Sequence, residues 1–288
     1  MTHRQATMAL VVITVIWGLS ITAVKAIYGF ASPLVAVTVR FGVASLILAP
    51  TLRAITREEL RAGLRIGAIF SVGVLLQNLG LEITTASRQA FLLSLAAVLT
   101  PVTAMVFLRQ PSRLDVVIRI LAATGGVFLL TSSAGALASV NRGDLLSLGA
   151  ALLYAGQIVA VGHYAGRVNV ARLLAVQFAV TATVAGLTGP FIETPRLDLA
   201  PGFFGLLAFL VAASLITFSL QLRAQRVVTA SEASLVYTFE PVVTATASWV
   251  LLGETLSWGQ WAGAVAIMAA VGWPRRSPPT PRAHGAPH

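Results

Sequence analysis

Along the 288-residue chain, charged positions come in short bursts, and the stretches between them are almost wholly apolar. Ten such stretches follow one another: Thr7–Tyr28, Pro33–Leu52, Gly63–Ile83, Thr85–Leu108, Leu114–Ser133, Leu145–Gly166, Ala171–Ile192, Gly202–Leu222, Ala230–Leu252 and Trp258–Trp273. Each is near the ~20 residues that a helix needs to cross a hydrocarbon core ~30 Å thick. The pattern predicts an all-α integral membrane protein with ten transmembrane helices. The first stretch is too long for the apolar core of a secretory signal, carries Lys25 and lacks a small-residue cleavage site. It is expected to stay as an anchor. The connections are short, the longest lying around Arg53–Ala62. They leave no room for a soluble catalytic domain, and no GxxxxGK[ST] phosphate loop occurs, which argues against ATP-driven pumping. The end of the chain, "PRRSPPTPRAHGAPH" over 274–288, is basic and proline-rich and is expected to be a disordered cytoplasmic tail.

Composition strengthens the membrane reading. The chain is 57% hydrophobic and only 10% charged, against about 25% charged in an ordinary soluble domain. With no cysteine, disulfides, thiolate metal sites and cysteine nucleophiles are excluded. A net charge of +10 would suit nucleic acid or anionic lipid, but its distribution points elsewhere. One side of the predicted membrane holds fifteen arginines: Arg4, Arg53, Arg57, Arg61, Arg65, Arg109, Arg113, Arg119, Arg167, Arg172, Arg223, Arg226, Arg275, Arg276 and Arg282. The other holds three, Arg88, Arg142 and Arg196. Such a bias places both termini in the cytoplasm, and no nucleic-acid partner is needed to explain the charge.

The chain also repeats itself. "VIWGLS" aligns with "LLYAGQ" at a shift of 137, setting Trp17 opposite Tyr154 and Ser20 opposite Gln157; the same shift sets Arg40 opposite Gln177. "LQNLGLEITTAS" aligns with "LQLRAQRVVTAS" at a shift of 144, pairing Gln77 with Gln221. "TPV" at Thr100 then matches "EPV" at Glu240 after a four-residue change of spacing. Matches in register and in order predict an internal duplication: a first five-helix repeat over 1–136 and a second over 137–273. An odd number of crossings makes the second enter the membrane from the opposite side. Inverted repeats of this kind are the layout of secondary transporters, with the substrate site near mid-membrane between the halves.

"VIWG…R" early in a five-helix unit, "TAS…P" in its fourth helix, and "EPV…WVLLGETLSWGQWAGAVAI" near the end resemble the EamA branch of the drug/metabolite transporter superfamily. The likeness covers both halves. Its most specific part is Pro241, Leu252, Gly253, Glu254, Gln260 and Gly263, and the corresponding run in the first half, "LRQPSRLDVV", lacks the Gly-Glu pair. Within the branch the chain is most similar to YddG-type exporters of aromatic and other amino acids. The resemblance implies a secondary transporter in the plasma (bacterial inner) membrane, not an enzyme and without a cofactor. Its partners would be the bilayer and a small-molecule substrate, amino acids or related metabolites.

Candidate chemistry sits at mid-membrane. Trp17, Ser20, Tyr154 and Gln157 would line opposite walls of a chamber, offering aromatic surface and hydrogen-bonding groups, the mixture an amino acid needs. Gln77, Asn78 and Gln221 are amides deep in apolar segments; they contact substrate or bond helix to helix. Tyr237 lies one turn from Pro241 and either lines the cavity or packs. Pro101 and Pro241 are repeat-equivalent and predict paired bends, gating pivots or static kinks. Arg40 and Glu240 are charges where a carboxylate costs about 2.5–3.5 kcal/mol. They either pair with each other or work separately; Glu240 would bind a substrate ammonium, take up protons, or serve the architecture alone. Lys25, Glu82 and Arg88 read most simply as solvated outer residues. Glu254 reads as a cap in an outer turn, and no histidines have ligand spacing, so no zinc or haem site is expected. The last helix of each half is rich in small residues, with Gly259 and Gly263 four apart, suiting a scaffold or a subunit contact; monomer and homodimer both stay open.

Two other function classes compete with a carrier. A membrane enzyme acting on lipid needs clustered carboxylates or histidines, and the ten acidic residues here are scattered. A channel needs polar stripes along whole helices, whereas these polar residues gather at mid-depth; a non-transporting scaffold needs neither.

Overall fold

Several helices begin on signals that the sequence supplies locally. Thr2 with Gln5, Thr56 with Glu59, Asn141 with Asp144, and Thr229 with Glu232 each form a reciprocal cap, in which side chains satisfy the first free N–H groups. Asn169 caps another start alone, and Pro33 and Pro201 occupy first-turn positions where no N–H is required. In this computed structural model, residues 1–84, 86–109, 113–132, 141–252 and 257–272 are described. The predicted tail at 274–288 and Glu254 lie outside them.

The helices are α1 (His3–Ile27), α2 (Pro33–Leu48), α3 (Arg57–Ile83), α4 (Ala86–Ser94), α5 (Ala96–Leu108), α6 (Leu114–Ser132), α7 (Arg142–Tyr164), α8 (Val170–Ile192), α9 (Pro201–Ala224), α10 (Ala230–Tyr237), α11 (Glu240–Leu252) and α12 (Trp258–Gly272). A 3₁₀ turn, Ala49–Ala54, extends α2. No strand occurs among the described residues; the Ala31–Leu197 bridge is isolated. Among the described residues, seven helical stretches are long and apolar enough to cross a membrane: His3–Ile27, Pro33–Ala54, Arg57–Ile83, Arg88–Leu108, Arg142–Tyr164, Val170–Ile192 and Pro201–Ala224.

The fourth and ninth predicted segments are each broken in two. The breaks fall at Leu95 and at Thr238–Phe239, where Leu95 N bonds Leu92 O and Phe239 N bonds Val236 O in tightened turns. The break lies six residues before Pro101, which sits inside α5. Pro241 is the second residue of α11, directly after its break. Ser94 Oγ donates to Phe91 O (2.7 Å), Ser234 Oγ to Ser231 O (3.0 Å) and Thr238 Oγ1 to Leu235 O (2.6 Å), and such back-bonding bends helices.

Packing pairs α3 with α7 and α8, α1 with α9, α2 with α8, and α6 with α12. The last pair meets through glycine: a Cβ on Gly263 would stand 2.5 Å from the Gly126 carbonyl, and one on Gly126 would stand 2.8 Å from the Gly263 carbonyl. Part of the small-residue face of α12 is thus covered within the chain.

Ion pairs fix the ends. Arg88, read from sequence as solvated, instead pairs with Asp144 at 2.6 Å, clamping α4 to α7; the Asp144 side chain is only 4% exposed. A hydroxyl from Thr84 reaches the same carboxylate at 3.2 Å. Glu59 and Arg172 join α3 to α8 at 3.3 Å. The α1–α2 connection is held to the α8–α9 connection by Arg196, which donates to the carbonyls of Tyr28 and Gly29.

Candidate functional site

The helices leave between them an open cavity with about 1110 Å³ of empty space, its mouth included. Its wall draws on both halves of the chain: Trp17, Ser20, Ile21 and Val24 from α1, Arg40 and Phe41 from α2, and Phe70, Val74, Gln77, Asn78 and Leu81 from α3. Ala90, Leu93, Ser94, Ala96 and Ala97 come from α4 and α5, and Tyr154, Gln157 and Ile158 from α7. Phe218, Ser234, Tyr237, Thr238, Glu240 and Pro241 complete it.

Most sequence candidates therefore meet at one place. Two do not. Gln221 is 1% exposed and stands behind the wall, donating its Nε2 to Gln157 Oε1 at 3.3 Å. Pro101 is buried in α5 and absent from the lining. The reason is rotational for Gln221: α9 turns that amide onto α7 and presents Phe218 to the cavity instead.

One wall is aromatic. Trp17 lies 5.0 Å from Tyr237 and 6.0 Å from Phe218, ring centre to ring centre; Phe70 stands 4.9 Å from Phe218, 5.5 Å from Phe41 and 6.1 Å from Tyr154. Tilted and edge-on contacts of this kind suit aromatic quadrupoles and hold the rings in place. Sequence reading missed Phe41, Phe70 and Phe218, because phenylalanine in an apolar run looks like any lipid-facing residue; the "RF" step next to Arg40 was the available hint.

Polar groups on the wall are held by partners far along the chain. Trp17 Nε1 donates to Thr217 Oγ1 (3.1 Å), Tyr154 donates its hydroxyl to Gln77 Oε1, and Tyr28 donates to Asn78 Oδ1 (2.8 Å). Ser20 Oγ turns back to Ile16 O (2.6 Å) and Asn78 Nδ2 to Val74 O (2.7 Å). Buried atoms left without a hydrogen-bond partner include Gln157 Nε2, an arrangement that is costly when dry.

Arg40 and Glu240 share the cavity without forming an ion pair. Arg40 Nε donates to Ser214 Oγ at 2.8 Å, and its guanidinium carbon lies 5.1 Å from the centre of the Phe41 ring. Among the described residues the Glu240 carboxylate has neither hydrogen bond nor ion pair; its backbone carbonyl accepts from Thr244 Oγ1. No three metal-ligating side chains converge among the described residues.

The two ends of the cavity differ. Its wall reaches Val24, Leu81 and Ala90, within about a turn of the ends at Ile27, Ile83 and Ala86. At the opposite end it stops at Ile158, Phe218 and Ser234. There a cluster of Ala6, Leu10, Ile13, Ala224, Val228 and Val236 fills the space, and Gln225 Nε2 donates to Ile158 O at 2.9 Å.

The sequence matches the family described as the EamA-like transporter family twice, over residues 5–132 and 141–273. An uncharacterized transporter of Archaeoglobus fulgidus is 29% identical over 269 residues, covering 92% of this chain and 84% of that relative. A crystal structure superposes with a TM-score of 0.76 over 93% of this chain and 97% of its own; at 16% identity it shows a shared fold only. The chain belongs to the EamA-like transporter family, and its multiple apolar helices make it a multi-pass membrane protein.

Proposed function

We propose that this family member is a secondary transporter, built as two inverted five-helix repeats, that exports amino acids or related small metabolites by alternating access. The observation that carries the reading is the cavity itself: an aromatic wall with separate polar and charged groups set into it, reaching toward one end of the helices and stopping against a packed cluster toward the other. A free amino acid offers an apolar side chain and two polar ends, and this wall offers complements to both.

Alternation is supported by comparing positions related by the two sequence shifts. The shift of 144 carries Leu81 to Gln225, and the shift of 137 carries Ile21 to Ile158. At one end Gln225 is bonded to the Ile158 carbonyl, while the related Leu81 and Ile21 line the cavity. Likewise α10 packs on α7, whereas the corresponding α4 and α1 are not a packed pair. Two family matches, one per half, favour the duplication, and the breaks at Leu95 and Phe239 are themselves 144 residues apart. If the halves exchange conformations, the closed end opens as the open end closes. With both termini in the cytoplasm, as the arginine bias suggests, the open end faces outward across the plasma membrane.

Purified protein in liposomes loaded with a panel of radiolabelled amino acids, with and without a pH gradient, tests this. Saturable flux with counter-flow is the expected result. Flux that stays linear with concentration would make the chain a channel, and no flux with any of the panel would remove the amino-acid reading.

A further inference from the structure

We propose that Arg40 and Glu240 are the two specificity-determining poles of the cavity, Arg40 receiving the carboxylate of the cargo and Glu240 its ammonium. The proposal rests on the amino-acid reading above and assigns that site its residues.

Arg40 is anchored at one atom only. Its Nε is committed to Ser214 and its plane rests near the Phe41 ring, so both Nη groups remain without a protein partner among the described residues. A guanidinium held this way presents a rigid two-pronged donor edge, the geometry that carboxylates accept bidentately. Phe41 and Ser214 fix its direction, which a lysine at the same place could not match.

Glu240 opens α11 directly after the helix break, and its carboxylate faces the same cavity with no cation beside it. Charges in a membrane interior ordinarily pair with one another. These two line one chamber from α2 and α11 and do not. A zwitterion offers each charge its own partner without bringing the side chains together, and Trp17 and Tyr237 on the same wall offer its apolar side chain a surface. A cargo lacking either end leaves one charge unanswered and is rejected for that reason, by at least about tenfold per missing charge-assisted contact.

The test measures binding of tritiated L-phenylalanine to the purified full-length chain and its competition by unlabelled L-phenylalanine, L-phenylalaninamide and 3-phenylpropionate. The intact protein is expected to favour phenylalanine over both analogues by about tenfold or more. Arg40→Gln should abolish discrimination against the amide and keep it against 3-phenylpropionate, and Glu240→Gln should do the reverse. Should Arg40→Gln not fold, Arg40→Lys keeps the charge without the fork, and it should narrow the preference over the amide several-fold; an unchanged preference counts against the assignment. Two variants that lose both discriminations together, or neither, would overturn it. An intact chain that binds phenylalanine and both analogues equally overturns it too, while leaving the amino-acid reading in place. One that binds no phenylalanine also sinks it, and the liposome panel then decides the broader reading separately.

Discussion

Gln225, directly after α9 at the start of the α9–α10 connection, donates to the Ile158 carbonyl, 2.9 Å away, and ties that region to α7 below the floor of the cavity. Leu81, related to Gln225 by the shift of 144, has no amide to offer and lines the cavity instead. The Gln225→Leu variant should weaken the closed end. The bond is worth about 1 kcal/mol net, enough to change the ratio of two near-equal states about fivefold. A cysteine-free chain allows single-cysteine labelling without background: Ser234→Cys should react faster with a small thiol reagent in the Gln225→Leu background than in the parent. Equal rates would count against a latch here.

Tyr154 and Gln77 join α7 to α3 across the cavity wall. Tyr154→Phe removes the hydroxyl and leaves the Gln77 carbonyl oxygen without that donor, at a cost of about 1–3 kcal/mol if water cannot replace it. Transport should fall with little change in folding. Gln77→Met in the same background should then add little, because the two act through one bond; flux assays on both singles and the double check this.

Much of this was legible in the chain and some was not, for reasons tied to particular residues. Apolar segment lengths and the capping residues at Thr56, Asn141 and Thr229 declare most helices. Mid-segment polar residues declare a chamber, and Trp17, Tyr154 and Gln157 are found on its wall. What stays hidden is helix rotation and long-range partnership. Gln157 and Gln221 have identical chemistry and similar depth, yet only the first lines the cavity. Ser214 lies 174 residues from Arg40, and nothing local marks it as the arginine's partner. The break at Leu95 was masked by Pro101, a louder signal six positions later in the same segment.

The proline and the break can be separated experimentally. Pro101 cannot donate to the Ala97 carbonyl four residues earlier, and Ser234 Oγ approaches that carbonyl at 3.5 Å. If hydroxyl back-bonding sets the break, Pro101→Ala should retain most transport, whereas Ser94→Ala combined with Ser234→Ala should lower it more. Flux measured at matched protein amounts decides between them; a larger loss in Pro101→Ala would return the hinge to the proline.

Arg88 and Asp144 clamp α4 to α7 beside a second tie, Gln89 Nε2 donating to Ser147 Oγ at 3.3 Å. Removing one partner of a buried pair typically costs about 3–5 kcal/mol. The Arg88 side chain is 16% exposed, so the cost of Arg88→Ala should be toward the lower part of that range. Thermal unfolding in detergent should shift downward by several degrees, and Arg88→Lys should recover part of the loss. An unchanged midpoint in Arg88→Ala would show that the pair contributes little.

Whether the open end closes in turn is the most direct question. Lys25 on α1 and Glu82 on α3 are both exposed, within one turn of the ends of their helices at that side. Spin labels at Lys25→Cys and Glu82→Cys, measured by double electron–electron resonance in lipid nanodiscs, should give two distances, with a transported amino acid shifting the population between them. A single distance, unmoved by a saturating amino acid that the same protein carries across liposomes, would contradict alternating access.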